Sequence, residues 1–295
     1  MSNLKNTITL LRIPFSIYLM PIYFFALSQT SVLSTNKSIW VFLILHVLIY
    51  PASNGYNSYM DKDTESIGGL EKPPMSTKQL YWVTLGLDII GLCTSLLLVN
   101  TVFTGLLLVY IVMSRAYSSK LIRLKKYPIL GFLTVFIFQG FWTFWMVFEG
   151  VQSGNLHFFS SFLPYAAIAS SFMIGGAYPL SQIYQHKQDA ESGDKSMSML
   201  LGIKGTFYFG TVMFAIAGLL LYYYFKETTF AHFYVFVISL FPLIVWFNLW
   251  MAKTLKNRSA ANFKNLMRMN NTSALCMNGC YILLTVLNHT DLFQL

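Results

Sequence analysis

The sequence predicts an all-helical integral membrane protein built as a bundle of about nine transmembrane helices, and three observations carry this expectation. Apolar residues make up 55% of the chain and charged residues only 11%, whereas soluble domains carry roughly a quarter charged residues. The apolar residues gather into runs of the ~20 residues that a bilayer crossing requires. Of the 20 Lys and Arg residues, all but Lys37 and Lys226 fall on one side of the membrane once nine spans are drawn.

The runs lie near 7–28, 38–58, 79–99, 101–118, 128–149, 158–184, 199–225, 229–252 and 271–289. The first is too long for a signal-peptide core and lacks a small-residue cleavage site, so it is read as helix one. The second, fourth and sixth end in polar segments: NGYNSYMDKDTESIGGLEKPP, SRAYSSKLIRLKKYPILG and YPLSQIYQHKQDAESGDKSMSMLLG. The other connections are too short for a soluble domain, and low-complexity tracts and short repeats are absent, which leaves one polytopic domain over residues 1–295. The basic asymmetry makes the loops after helices two, four, six and eight cytoplasmic, with the cell (inner) membrane as the expected location. It also accounts for the net charge of +9 through anionic lipid head groups rather than nucleic acid. Cys93, Cys276 and Cys280 all lie inside spans and read as packing residues.

Seven of the eleven acidic residues occupy two short windows on the cytoplasmic face: Asp61, Asp63, Glu65 and Glu71, then Asp189, Glu191 and Asp194. Carboxylates concentrated beside a membrane point to a bound cation. Asn57, Asp61 and Glu65 follow an i, i+4, i+8 spacing, so a continuing helix would align their oxygens on one face. That oxygen-only set suits Mg²⁺, which keeps waters and substrate phosphates in its shell. The Gly68–Gly69 pair and Pro73–Pro74 would end the helix and form a covering loop. The second window repeats the design with Gln185 and Asp189 four apart, and two such windows can hold two ions across a phosphate group. His186 reads as a loop histidine, since its neighbours are oxygen donors. In the basic loop after helix four, Lys125 and Lys126 read as lipid anchors. Lys120 and Arg123 either anchor or reach a diphosphate near the metals. Asp88 lies well inside helix three, where a free charge costs about 3 kcal/mol; it must face a chamber, be protonated or pair with a neighbour.

Asn57-Ser58-x-x-Asp61-x-x-x-Glu65 resembles the NDxxDxxxD signature of UbiA-type intramembrane prenyltransferases, and Gln185-x-x-x-Asp189-x-x-x-Gly193-x-x-Ser196 resembles their second signature, DxxxDxxxGxxS/T. Arg12-Ile13-Pro14, Tyr117-Ser118 with its basic loop, and Gly131 extend the likeness over residues 1–205. The resemblance implies nine helices around a central lipid-open chamber capped by cytoplasmic loops. It also implies Mg²⁺-dependent transfer of a prenyl (alkyl) group from an isoprenyl diphosphate donor to a lipophilic, often aromatic, acceptor. It assigns Asn57, Asp61, Glu65 and Asp189, with Gln185, to the metal–diphosphate site, and Asp61 and Asp189 to catalysis. Lys120 and Arg123, joined by Lys62, Lys72 and Lys195, become diphosphate contacts. Asp63, Glu191, Asp194, Arg12 and Asp88 form an outer tier. Ser58 and Gln185 stand where the signatures carry aspartate, which lowers the site's negative charge unless Asp63 or Asp194 restores it. Two alternatives remain: a terpene cyclase on the same scaffold, or a non-catalytic membrane lipid carrier, which would leave the acidic windows without a purpose.

Overall fold

The computed structural model describes residues 2–290; residue 1 and residues 291–295 of the expected domain lie outside the described residues. Among the described residues the chain is helical, with two isolated β-bridges and no strand. The first apolar run is broken into α1 (Ser2–Leu11), a 3-10 turn (Ile13–Tyr18) and α2 (Met20–Ser28), with a bend of 42° before α2. Arg12 interrupts it with a left-handed backbone (φ 49°), and Pro14 and Pro21 stand at the starts of the next two segments, where a missing N–H leaves no bond unmade.

The remaining elements are α3 (Thr35–Asp61), α4 (Lys78–Leu98), α5 (Thr101–Ser118), α6 (Pro128–Val151), α7 (Leu163–Gln182), α8 (His186–Glu191), α9 (Met197–Glu227), α10 (Ala231–Lys256) and α11 (Phe263–His289). Asn100, Ser196 and Asn262 cap α5, α9 and α11 by accepting hydrogen bonds from Phe103, Met199 and Asn265 backbone N–H groups, which satisfies donors that the first turn cannot. Gly202 (φ 66°) interrupts α9 near its start.

Six helices, α3, α4, α5, α6, α9 and α10, are long and apolar enough to cross a membrane, and the bent α1–α2 pair passes as a seventh if it is one span. The sixth and ninth expected spans correspond to α7 and α11, which fall outside that group. The reason is composition: α7 is rich in Gly, Ser and Ala, and α11 carries Asn265, Asn270, Asn271 and Asn278.

α3 packs on α4, α7 on α9, α10 on α11, and α11 on α2. The main core joins Phe25, Phe103, Phe144, Phe148 and Tyr281, all nearly inaccessible. A smaller cluster around Phe207, Phe247 and Trp250 packs α9 and α10 nearer the acidic end, and Leu10, Leu11, Ile67 and Leu80 fasten the loop after α3 to α1 and α4. Trp82, Leu97, Ile238 and Leu275 point outward and are widely exposed. Such an apolar exterior is what hydrocarbon rather than water solvates.

Candidate functional site

The two acidic windows, far apart in sequence, meet at one cavity of about 270 Å³. α3 delivers Asn54, Asn57 and Asp61, and the loop after it delivers Asp63. α8 supplies Asp189, the turn behind it Asp194, the break after α1 Arg12, and the α5–α6 loop Lys125. The α5–α6 loop can lie close to α6 because residue 131 is glycine: a Cβ there would come within 3.1 Å of the Lys125 Cα.

Charge is only partly balanced locally, although burial favours pairing. Arg123 grips Asp194 with two hydrogen bonds of 2.8 Å, from Nε to Oδ1 and from Nη2 to Oδ2, and lies 3.6 Å from Asp61. Lys125 donates to Asp61 Oδ2 and sits 3.6 Å from Asp194. Gln188 donates to Asp63 at 2.7 Å, and Asn57 to Ser118 at 2.9 Å. Arg12 donates to the carbonyls of Gly68 (3.0 Å) and Asn54 (3.2 Å), tying the break after α1 to α3 and the loop that follows it. Burial, reinforced by Asp61, holds the Asp63 carboxyl up at about 6 despite Lys125 and Arg12. Burial raises Asp189 to about 6 as well, against the opposing charge of Lys125 and a hydrogen bond from Ser196. Two carboxylates raised this far mark a place that lacks enough positive charge.

Several expected site residues lie elsewhere. α3 stops at Asp61 because Lys62 turns left-handed (φ 55°), so the ladder does not continue to Glu65. Glu65 is exposed and borders a separate cleft with Glu71, Gln185 and Gln188. Gln185 lines both the cleft and the main cavity, and its amide donates to the Ser66 carbonyl at 3.3 Å. Lys62, Lys72, Lys120 and Lys195 are exposed and do not line the cavity. Glu191 is a surface residue 4.0 Å from Lys187. Asp88 takes the pairing option: Arg115 donates to it from Nε at 2.9 Å and from Nη2, bonds Thr84, and lies 4.1 Å from the Tyr56 ring centroid. That pair lies outside the cavity and braces α4 against α5.

Lys125 is the main residue that the sequence reading misplaced. The Gly131 contact and the short 3-10 turn Leu124–Lys126 set it apart from its exposed neighbour Lys126. Asn54 and Gln182 also line the cavity. The donor set fits a hard divalent cation: the candidate ligands are carboxylate and amide oxygens, and Asp61 Oδ1 is buried without a hydrogen-bond partner. Among the described residues no three acidic, His or Cys side chains converge tightly enough to hold an ion alone. A cation here would complete its shell with water or phosphate, as small hard ions do.

Behind this cavity lies a second, apolar one of about 440 Å³, lined by α2, α7, α9, α10 and α11. Leu266 and Asn270 border both.

A family model described as the UbiA prenyltransferase family matches residues 18–272. Among solved structures, a UbiA homolog from Archaeoglobus fulgidus bound to GPP and Mg²⁺ is 16% identical over 95% of this chain and 99% of its own, with a TM-score of 0.69. The same figures hold for that homolog bound to DMAPP and Mg²⁺. A digeranylgeranylglyceryl phosphate synthase structure is 20% identical over 97% of this chain and 98% of its own, with a TM-score of 0.60. These likenesses are ones of fold. No curated protein matches the chain.

Proposed function

Because the chain belongs to the UbiA prenyltransferase family, we propose that it transfers a prenyl group from an isoprenyl diphosphate to a lipophilic, aromatic acceptor inside the membrane, with Mg²⁺ as cofactor. The observation that carries this reading is the convergence of Asp61, Asp63, Asp189 and Asp194 with Lys125 and Arg12 on one cavity, beside an apolar cavity able to take hydrocarbon. The binding of GPP or DMAPP with Mg²⁺ by solved relatives of the same fold supports it.

Asp61 and Asp189, with Asn57 and Gln185, would hold the metal, and Asp63 and Asp194 would add the charge that Ser58 and Gln185 do not provide. When bound, Mg²⁺ would supply charge neutralisation of the diphosphate leaving group. Lys125, Arg123 and Arg12 supply fixed positive charge where the leaving group gathers negative charge. Lys62, Lys72, Lys120 and Lys195 act at longer range by drawing the anionic donor to this face. Glu65 and Glu191 remain at the rim. The allylic C–O bond breaks with release of diphosphate, an acceptor ring carbon forms the new C–C bond, and the ring proton passes to the released diphosphate or to water at the polar cavity. The apolar cavity takes the isoprenoid tail and keeps water from the reacting carbon. The chain works as one polytopic unit of nine spans, with this site on the cytoplasmic face of the cell membrane.

Incubating the purified protein in lipid with geranyl, farnesyl or geranylgeranyl diphosphate, a membrane-lipid extract and Mg²⁺ tests the reading by product mass. A Mg²⁺-dependent product heavier than the acceptor by the prenyl unit is expected. A cyclised hydrocarbon formed without acceptor would move the assignment to a terpene cyclase. Absence of turnover with every donor would favour a lipid carrier.

A further inference from the structure

The apolar cavity reaches the outside of the bundle along the seam between α9 and α10. Its wall there is made by Thr211, Ala215 and Gly218 on α9 and by Val237, Ile244 and Asn248 on α10. Spacings of three, four or seven residues put each trio along one edge of its helix, and all but Gly218 are exposed. The neighbouring faces, with Val212 on α9 and Ile238 and Phe241 on α10, point outward, so the cavity meets the surrounding hydrocarbon at this seam. Aromatic contacts close the seam at its ends: Tyr222 meets Phe233 at 5.4 Å, and Phe207 meets Trp250 at 4.9 Å. Between them the helices part, because α9 packs chiefly on α7 and α10 chiefly on α11. A Cβ added to Gly218 would meet nothing within 4 Å, and Pro242 interrupts the backbone bonding of α10.

The seam is graded in polarity. Toward the acidic windows, Lys204 continues the α9 edge seven residues before Thr211, about 10 Å of helix. Lys253 and Lys256 stand in the last turn of α10. All three lysines are exposed, and none pairs with a carboxylate among the described residues. One to two turns inward comes Asn248, whose amide donates to the Ile244 carbonyl at 2.8 Å and keeps a second N–H free to donate. The apolar wall follows. Cations, then one free amide, then hydrocarbon is the order in which a phospholipid presents its phosphate, ester and acyl chain.

We propose that the seam between α9 and α10 binds one anionic phospholipid. One acyl chain enters the apolar cavity, Asn248 donates to an ester carbonyl, and Lys204 with Lys253 and Lys256 meets the phosphate. The lipid's other chain stays in the bilayer against the outward faces of the two helices. This site goes beyond the transferase reading and does not depend on it. A chain held here occupies the volume that an isoprenoid tail would use, so lipid and a long donor exclude each other.

The test is native mass spectrometry of the full chain released from nanodiscs that contain phosphatidylcholine and phosphatidylglycerol in equal amounts. Wild type should retain a lipid and favour phosphatidylglycerol by about fivefold or more, the scale of one lysine near a membrane surface. Lys204→Gln should still retain lipid but lower that preference about fivefold. Ala215→Phe, which fills the seam, should lose the retained lipid, while Val212→Phe, which places a ring on the adjoining outward face, should match wild type. Equal retention of the two lipids by wild type, or a preference unchanged in Lys204→Gln, would overturn the proposal. So would retention undiminished in Ala215→Phe or lost equally in Val212→Phe. Lys204→Gln alters only an exposed side chain, so it reads the head-group contact even where Ala215→Phe does not fold. Mass is read without turnover, so failure of this site and failure of the transferase reading remain separate results.

Discussion

The polar cavity and the apolar cavity share a border at Leu266 and Asn270 but are built on opposite principles. The polar one is defined by what is present: four carboxylates from two distant segments, held by Arg123, Lys125 and Gln188 through specific contacts. The apolar one is defined by what is missing. Gly218, Ala177, Ala215 and Ala217 lie along its wall, and a Cβ added to Gly218 would meet nothing within 4 Å. Charges that leave water need fixed partners, so the first region is rigidly specified. A cavity for hydrocarbon needs only volume and apolar lining, so the second tolerates change in shape more readily than change in polarity.

The contrast is broken most sharply at Lys125. Replacing it by Met should lower kcat for diphosphate release by about 10²–10³-fold, the scale of removing one preorganised charge-stabilising group, with the same loss for every donor length. A loss confined to one donor would place Lys125 in tail selection instead. Gly218→Phe should do the reverse. It fills the apolar cavity from α9, so kcat/KM for geranylgeranyl diphosphate should fall by roughly tenfold while geranyl diphosphate is little affected. An equal fall for both would show that the two cavities are not separate in use.

A smaller effect comes from pH. Asp63 and Asp189 sit at about 6 in the folded chain against an ordinary 3.8. Between those values the folded, metal-free protein therefore holds more protons than the unfolded chain. The contribution of these two groups to stability is fully present below that window and is lost as pH rises through 6. Lowering pH from 7 to 5 without Mg²⁺ should raise Tm by roughly 2 °C, about 1 kcal/mol after solvent screening. Mg²⁺ should raise Tm at pH 7 by binding the folded state. A Tm that falls on acidification would contradict the sign. Smallest of all is Glu65→Gln, expected to change turnover by less than about twofold because the side chain is exposed at the rim; a large loss would bring Glu65 into the metal shell during turnover.

Much of the polar region is legible in the sequence, because carboxylates in a greasy chain have few other reasons to cluster. Asp61, Asp63, Asp189 and Asp194 stand in the two windows and meet in space. The place of Glu65 hangs on one condition, that α3 runs past Lys62, and the helix ends at Asp61 instead; whether a lysine adopts a left-handed turn depends on tertiary contacts rather than on spacing. Lys125 and Lys126 look alike as neighbouring cations at a membrane surface, and only the backbone packing against Gly131 separates them. Asp88 was narrowed to three fates, of which pairing with Arg115 is the one taken. The apolar cavity and the π-helical turn Phe136–Trp142 in α6 are illegible in the sequence. One is a space between helices and the other a local register change where Gly140 lies against Ser171 of α7, and neither leaves a periodic mark. The same limit explains α7 and α11, whose small and polar residues place them outside the group of strongly apolar spans.

The most direct test of a single site assembled from both windows is Mg²⁺-dependent diphosphate release from geranyl diphosphate by Asp61→Asn and Asp189→Asn, beside Glu191→Gln as an exposed acidic control. Both aspartate variants should fall to the Mg²⁺-free level while remaining folded by their melting transitions, and the control should match wild type. Full Mg²⁺-dependent release by either aspartate variant would contradict a metal held jointly by the two windows.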